Sequence, residues 1–116
     1  MPGNSVDDTF AGTPPYQREA YDAIVAHLRT LGPLHLDAVQ VGVFLLAGRK
    51  FAEVRPMARS LSVSLALDRR VAHPRINRQP YVSGDRVWNN FNLTSSSDVN
   101  GVFLELLTEA YLLAAG

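Results

Sequence analysis

Cysteine is absent from this sequence, which removes disulfides, thiolate metal sites and cysteine nucleophiles together. Histidine is scarce. The three residues, His27, His35 and His73, are too scattered for a shared metal, so neither a metal nor a cofactor is expected. No apolar run is long enough to span a bilayer: the longest reaches only from Val41 to Ala47. The opening residues MPGNSVDDTF are acidic and polar, not basic and then apolar, which predicts a cytoplasmic protein without membrane contact. Also missing are the HExxH, GxSxG, phosphate-loop and GxGxxG signatures. No familiar catalytic framework remains.

What is there suffices for a core. A chain of 116 residues has the usual size of one domain, and such a chain buries roughly two thirds of the surface it exposes when unfolded. The net charge is zero, but the charges are segregated. Residues 49–86 carry nine basic groups and three acids, hence +6, while the remainder carries two basic groups and eight acids, hence −6. Such a chain can hold an anion locally while staying neutral as a whole. A solvated basic loop facing acidic helices is the plainer alternative.

The composition along the chain predicts a flexible N-terminal arm over residues 1–12 and a single α+β domain over 13–116. Thr13-Pro14-Pro15 reads as a helix start, with Thr13 as cap and Pro14 where a missing N–H costs nothing. Tyr21, Ile24, Val25, Leu28 and Leu31 fall on one face, and Gly32-Pro33 stops the helix, placing it over 14–31. About four mostly antiparallel strands follow. Leu34 to Ala47 holds one strand or two with a kink near Asp37-Ala38; Gly48-Arg49-Lys50 is a turn; Phe51 to Pro56 and Leu61 to Leu67 are strands. Residues 68–85 form a long loop punctuated by His73-Pro74, Gln79-Pro80 and Ser83-Gly84-Asp85. Arg86 to Leu93 is the last strand. Ser95 with Asp98 resembles a capping box opening a second long helix, whose apolar residues exceed one stripe and predict burial on two sides.

With both helices on one face of the sheet, the other face stays open. Strand alternation assigns to it Gln40, Gly42, Phe44, Phe51, Glu53, Arg55, Ser62, Ser64, Trp88, Asn90 and Asn92. An apolar floor with a few polar groups suits a ligand site. It equally suits a protein interface, where Trp and Arg are enriched, or a half-solvated face with stray aromatics. The candidate ligand-binding residues are Phe44, Glu53, Arg55, Arg86, Trp88 and Asn90, with the Arg-rich loop 68–85 at one edge. Arginine forks bind phosphate or carboxylate in bidentate fashion.

Several short segments resemble a family of small bacterial and archaeal domains of unknown function. They are Phe10-Ala11-Gly12 with Pro14-Pro15, Arg49 through Pro56, Leu61 through Leu65, and Leu93-Thr94-Ser95 leading through Asp98-Val99 to Ala110-Tyr111. The resemblance covers residues 9–114. Members of that family stand alone, beside another uncharacterised helical domain, or at the end of nuclease-like proteins. The resemblance implies an α+β domain with an accessory binding role and supplies no activity. Two positions depart from it: Gln40 stands where relatives often have Lys, and Asn90 where they often have His.

Three function classes stand side by side. The first is a binding module that holds an anionic partner, whether a small acid, a phosphate compound or nucleic acid. The second is a structural homodimer or interaction module without ligand, paired through the last helix or the aromatic sheet face. The third and least favoured is an enzyme with an unfamiliar site around Glu53 and His35, the latter with Asp37 two residues on and facing the same way. No catalytic residue is assigned. His27 is expected to be solvated on the polar side of the first helix.

Overall fold

The computed structural model describes residues 4–116; the first three residues of the expected arm lie outside the described ones. The fold is α+β: a six-stranded antiparallel sheet and three helices. The elements are α1 (Val6–Phe10), α2 (Pro15–Arg29), β1 (His35–Val39), β2 (Gly42–Ala47), β3 (Arg49–Pro56), β4 (Leu61–Leu67), β5 (Tyr81–Ser83), β6 (Arg86–Leu93) and α3 (Gly101–Ala115). The strands run in the order β1-β2-β3-β4-β6-β5.

The stretch read as an arm is corrected from Val6 onward. Ser5 accepts the Asp8 N–H and caps α1, and Phe10 at its end is buried against Tyr21, with ring centroids 5.0 Å apart. Thr13 does not cap α2. Its hydroxyl turns back to the Phe10 carbonyl, and the helix starts at Pro15 without a side-chain cap. Gln17, Ala20, Tyr21, Ile24 and Leu28 form the buried face of α2. At the far end Gly32 has φ +153, and a Cβ there would stand 2.5 Å from the Tyr111 hydroxyl, which itself donates to the Pro33 carbonyl. Glycine at this stop thus admits the closing helix as well as ending the first one.

The sheet has two strands more than expected. The long segment before Ala47 is a hairpin, β1 and β2, with Val39 opposite Gly42. The turn after β2 shrinks to Gly48 alone, at φ +82, so Arg49 and Lys50 already belong to β3. The third surprise is β5, within the expected loop. Its turn to β6, Gly84-Asp85, has positive φ only at the first residue, the type II′ pattern that suits hairpin twist.

One hydrophobic cluster joins Ile24 and Leu28 of α2 and Phe103, Leu107 and Ala110 of α3 to Val43, Leu45, Ala52, Val54, Leu61, Val63, Leu65, Phe91 and Leu93. Alternation along β2, β3, β4 and β6 puts these strand residues on one face, so α2 and α3 cover the same side. Each fully buried Leu or Val contributes about 1.5–3 kcal/mol of transfer free energy, and β4 at the centre has four such inward positions. The capping box of Ser95 and Asp98 exists, but it closes a 3₁₀ turn. The helix itself starts at Gly101, capped by Asn100. Only one stripe of α3 is buried; Val102, Leu112 and Leu113 are exposed. No helix among the described residues is long and apolar enough to cross a membrane.

Candidate functional site

A β-bulge decides which side chains meet on the open face. Leu45 pairs with Ala52 but Leu46 pairs with Lys50, so Phe51 is an extra residue on β3. The bulge turns Phe51 inward, fully buried and edge-on to Tyr111 at 5.7 Å. Its assignment to the open face is therefore corrected: counting by twos fails across a bulge. In its place Lys50 stands on the open face.

Lys50 becomes the centre of a cluster. Its ammonium donates to Glu53 Oε2 at 2.9 Å and lies 4.2 Å from the centre of the Phe44 ring and 5.5 Å from that of Trp88. The Arg86 guanidinium lies 4.9 Å from the Trp88 ring centre and donates to the Lys50 carbonyl. Between them Ala66 on β4 is small enough for β3 and β6 side chains to meet above it, and is only 3% exposed beneath them. Burial, with help from nearby Arg49 and against the pull of Asp85, lowers the Arg86 pKa from its ordinary value. Cations over aromatic faces are held by the ring quadrupole.

Four of the sequence-assigned residues are thus brought together: Phe44, Glu53, Arg86 and Trp88. Trp88 is half-buried on the side away from the helices. Arg55 reaches the same carboxylate only at 3.7 Å and is largely exposed. Asn90 lies on the open face, but its hydrogen bonds are taken. It donates to Ser62 Oγ (2.8 Å) and Ser64 Oγ (2.9 Å) and accepts from Arg78 Nε (3.2 Å). It braces the sheet and the loop, with little left for a ligand. Sequence reasoning missed Lys50, hidden by the bulge; Tyr81, expected in the loop at the edge of this face, stands instead in a three-residue strand opposite Trp88. Lys50, Glu53, Ser64, Tyr81, Ser83, Arg86 and Trp88 line a groove of about 410 Å³. Its lining holds two cations and one carboxylate, a charge of +1.

The loop between β4 and β5 wraps the edge of β6. Asn89, on the helix side of β6, bonds the loop at Arg69 and Val71; the Asn92 N–H donates to the Arg75 carbonyl; Asn92 Nδ2 reaches Asn77 on the open side. His73 packs its ring edge-on to Phe91 at 5.2 Å, and its Nδ1 accepts the Arg75 N–H. That bond assigns the neutral tautomer with hydrogen on Nε2. Burial lowers the His73 pKa from its ordinary 6.5, opposed by Asp98 and aided by Arg75. Well above pH 6.5 both folded and unfolded imidazoles are neutral and the fold keeps its full stability. As pH falls through that value the unfolded chain takes up a proton that the folded one resists, so stability drops. His73→Asn keeps an acceptor for the Arg75 N–H and removes the titration. Between about pH 7.5 and about pH 5.5 its melting temperature is expected to fall less than that of the wild type. Equal falls would exclude His73 as the responsible group.

The remaining candidates stay apart. His35 and Asp37 are exposed on β1, and no hydrogen bond joins them to each other or to Glu53 among the described residues. His27 is corrected from a solvated residue to a link between helices, its Nε2 being 2.7 Å from Thr108 Oγ1. No group of acids and histidines among the described residues has the arrangement of a metal site.

The chain belongs to a family of domains of unknown function, DUF5655, whose family model matches residues 6–114, in agreement with the resemblance read from the sequence. No curated protein and no solved structure matches it.

Proposed function

We propose that this member of the DUF5655 family is a binding module, and that an anionic partner docks on its open sheet face beside the Arg-rich loop. The observation that carries the reading is the convergence of Lys50 and Arg86 over Trp88, on a face that neither long helix covers. Cations fixed over an aromatic floor give a partner both charge complementarity and a flat apolar contact. Glu53 neutralises part of this charge, which favours a partner that also offers a hydrogen-bond donor to the carboxylate.

Trp88 is the sole tryptophan, so its fluorescence reports on the groove directly. Nucleotides, small organic acids and short oligonucleotides are titrated at low and high salt. The expected result is a fluorescence change that saturates, weakens with salt, and loses about tenfold in affinity in Trp88→Ala when followed by calorimetry. Absence of any salt-dependent binding up to millimolar ligand removes the reading. A second reading, pairing of two copies through α3, draws on the exposed Val102, Leu112 and Leu113. In that case light scattering gives the mass of a dimer, which Trp88→Ala leaves intact.

A further inference from the structure

The loop between β4 and β5 sorts its four arginines into two kinds. Arg69 and Arg75 are matched to carboxylates: Arg69 to Glu109 at 2.7 Å and Arg75 to Asp98 at 3.3 Å. Arg70 and Arg78 have no carboxylate partner among the described residues. Each is steered by a neutral amide oxygen, Arg70 by Gln79 at 2.9 Å and Arg78 by Asn90 at 3.2 Å. A neutral acceptor orients a guanidinium without cancelling its charge. The steering is firm at Arg78, because Asn90 is itself buried and held by two serines.

Both arginines line one solvent-open cavity of about 620 Å³ along the loop. Its lining contains no Asp or Glu, and His73 there is neutral through the Arg75 N–H bond. Val71, Ala72, Ile76 and Pro80 supply an apolar wall. The volume exceeds what an inorganic ion needs and falls in the range of sites for small organic ligands. We infer that this loop cavity is a second binding site, for a small organic oxyanion whose charged head is gripped by Arg70 and Arg78 and whose apolar body rests on Val71 and Ile76. The site lies beyond the Trp88 groove, has its own lining, and stands whether or not the groove binds anything.

Carboxylate and phosphate monoester heads share this chemistry, and the probes separate them: benzoate, phenyl phosphate and inorganic phosphate, each titrated by calorimetry and by amide chemical shifts of the loop. One of the two aromatic anions is expected to bind saturably and to shift Val71 and Arg78 amides, with inorganic phosphate at least about threefold weaker because it has no apolar body. Arg70→Gln and Arg78→Gln are each expected to weaken binding about tenfold, the effect of one charge-assisted hydrogen bond. Trp88→Ala is expected to leave it unchanged, which separates this site from the groove. Both arginines are exposed, so both variants should stay folded throughout the titrations, which thermal melts check; Arg78→Gln also releases the Asn90 oxygen and should melt slightly lower than Arg70→Gln. The inference is overturned by a lack of saturable binding at about 10 mM probe, by equal affinity for all three probes, or by full affinity in both arginine variants.

Discussion

Replacing Gly42 by alanine is expected to destabilise the fold by roughly 1–3 kcal/mol, toward the upper end of that range. A Cβ at this position would stand 2.2 Å from the Val54 carbonyl oxygen and 3.1 Å from Arg55 Cγ. The arginine stem can swing aside, but the carbonyl belongs to the β2–β3 ladder and cannot. The next residues along, Val43 and Val54, are directly opposed and fully buried, so widening the strands there opens the core as well. Gly101→Ala is the matched control. Nothing lies within 4 Å of its Cβ, and it stands in the first turn of a helix, where alanine loses less backbone entropy on folding than glycine does. Urea unfolding with an unchanged slope should show the first variant shifted down and the second shifted up. A Gly42→Ala midpoint equal to the wild type would mean that the strands separate at no cost.

The same crowding explains what was legible in the sequence. Gly42 reads as an ordinary strand glycine, and nothing local reveals that a neighbouring strand presses against it. Helix α2 was legible because Tyr21, Ile24 and Leu28 repeat at helical spacing and Gly32-Pro33 ends the pattern. Strand β4 was legible over Leu61–Leu67 because it alternates with period two. β5 was not: three exposed residues carry no periodicity, and only the Ser83-Gly84-Asp85 turn hinted at a return. For the site, alternation correctly grouped Phe44, Glu53 and Trp88, whose strands keep register around them. It failed at Phe51 and Lys50, because a bulge is set by how two strands pair and not by either strand alone. Asn90 was placed on the correct face, yet the serines that occupy it become neighbours only when β4 and β6 lie side by side. The segregated charge of residues 49–86 was read correctly as a sum. Which of those arginines are neutralised depends on acids brought in by α3 and the turn before it, Glu109 and Asp98.

Asn89→Ala is expected to cost about 2–4 kcal/mol, more than its small volume suggests. This side chain, 1% exposed, makes three hydrogen bonds: it donates to the Arg69 carbonyl at 3.0 Å and the Val87 carbonyl at 3.2 Å, and accepts the Val71 N–H at 3.1 Å. Alanine would leave the Val71 N–H buried without a partner and cut the loop from the strand it wraps. The exposed Asn92–Asn77 pair makes a single bond, and Asn92→Ala is expected to change stability by less than about 0.5 kcal/mol. Two measurements follow the loss: the denaturation midpoint for the whole fold, and hydrogen exchange at the Val71 amide for the loop. The amide should exchange far faster in Asn89→Ala even under conditions where the sheet stays folded. Unchanged protection at Val71 would show that the loop holds its course without this anchor. Because Asn89 lines the cavity between Arg70 and Arg78, its loss should also weaken oxyanion binding there without touching the Trp88 groove. Stability and ligand preference would then trace to one buried amide: residue 89 holds the loop in place, and the held loop keeps its two unmatched arginines facing the same space.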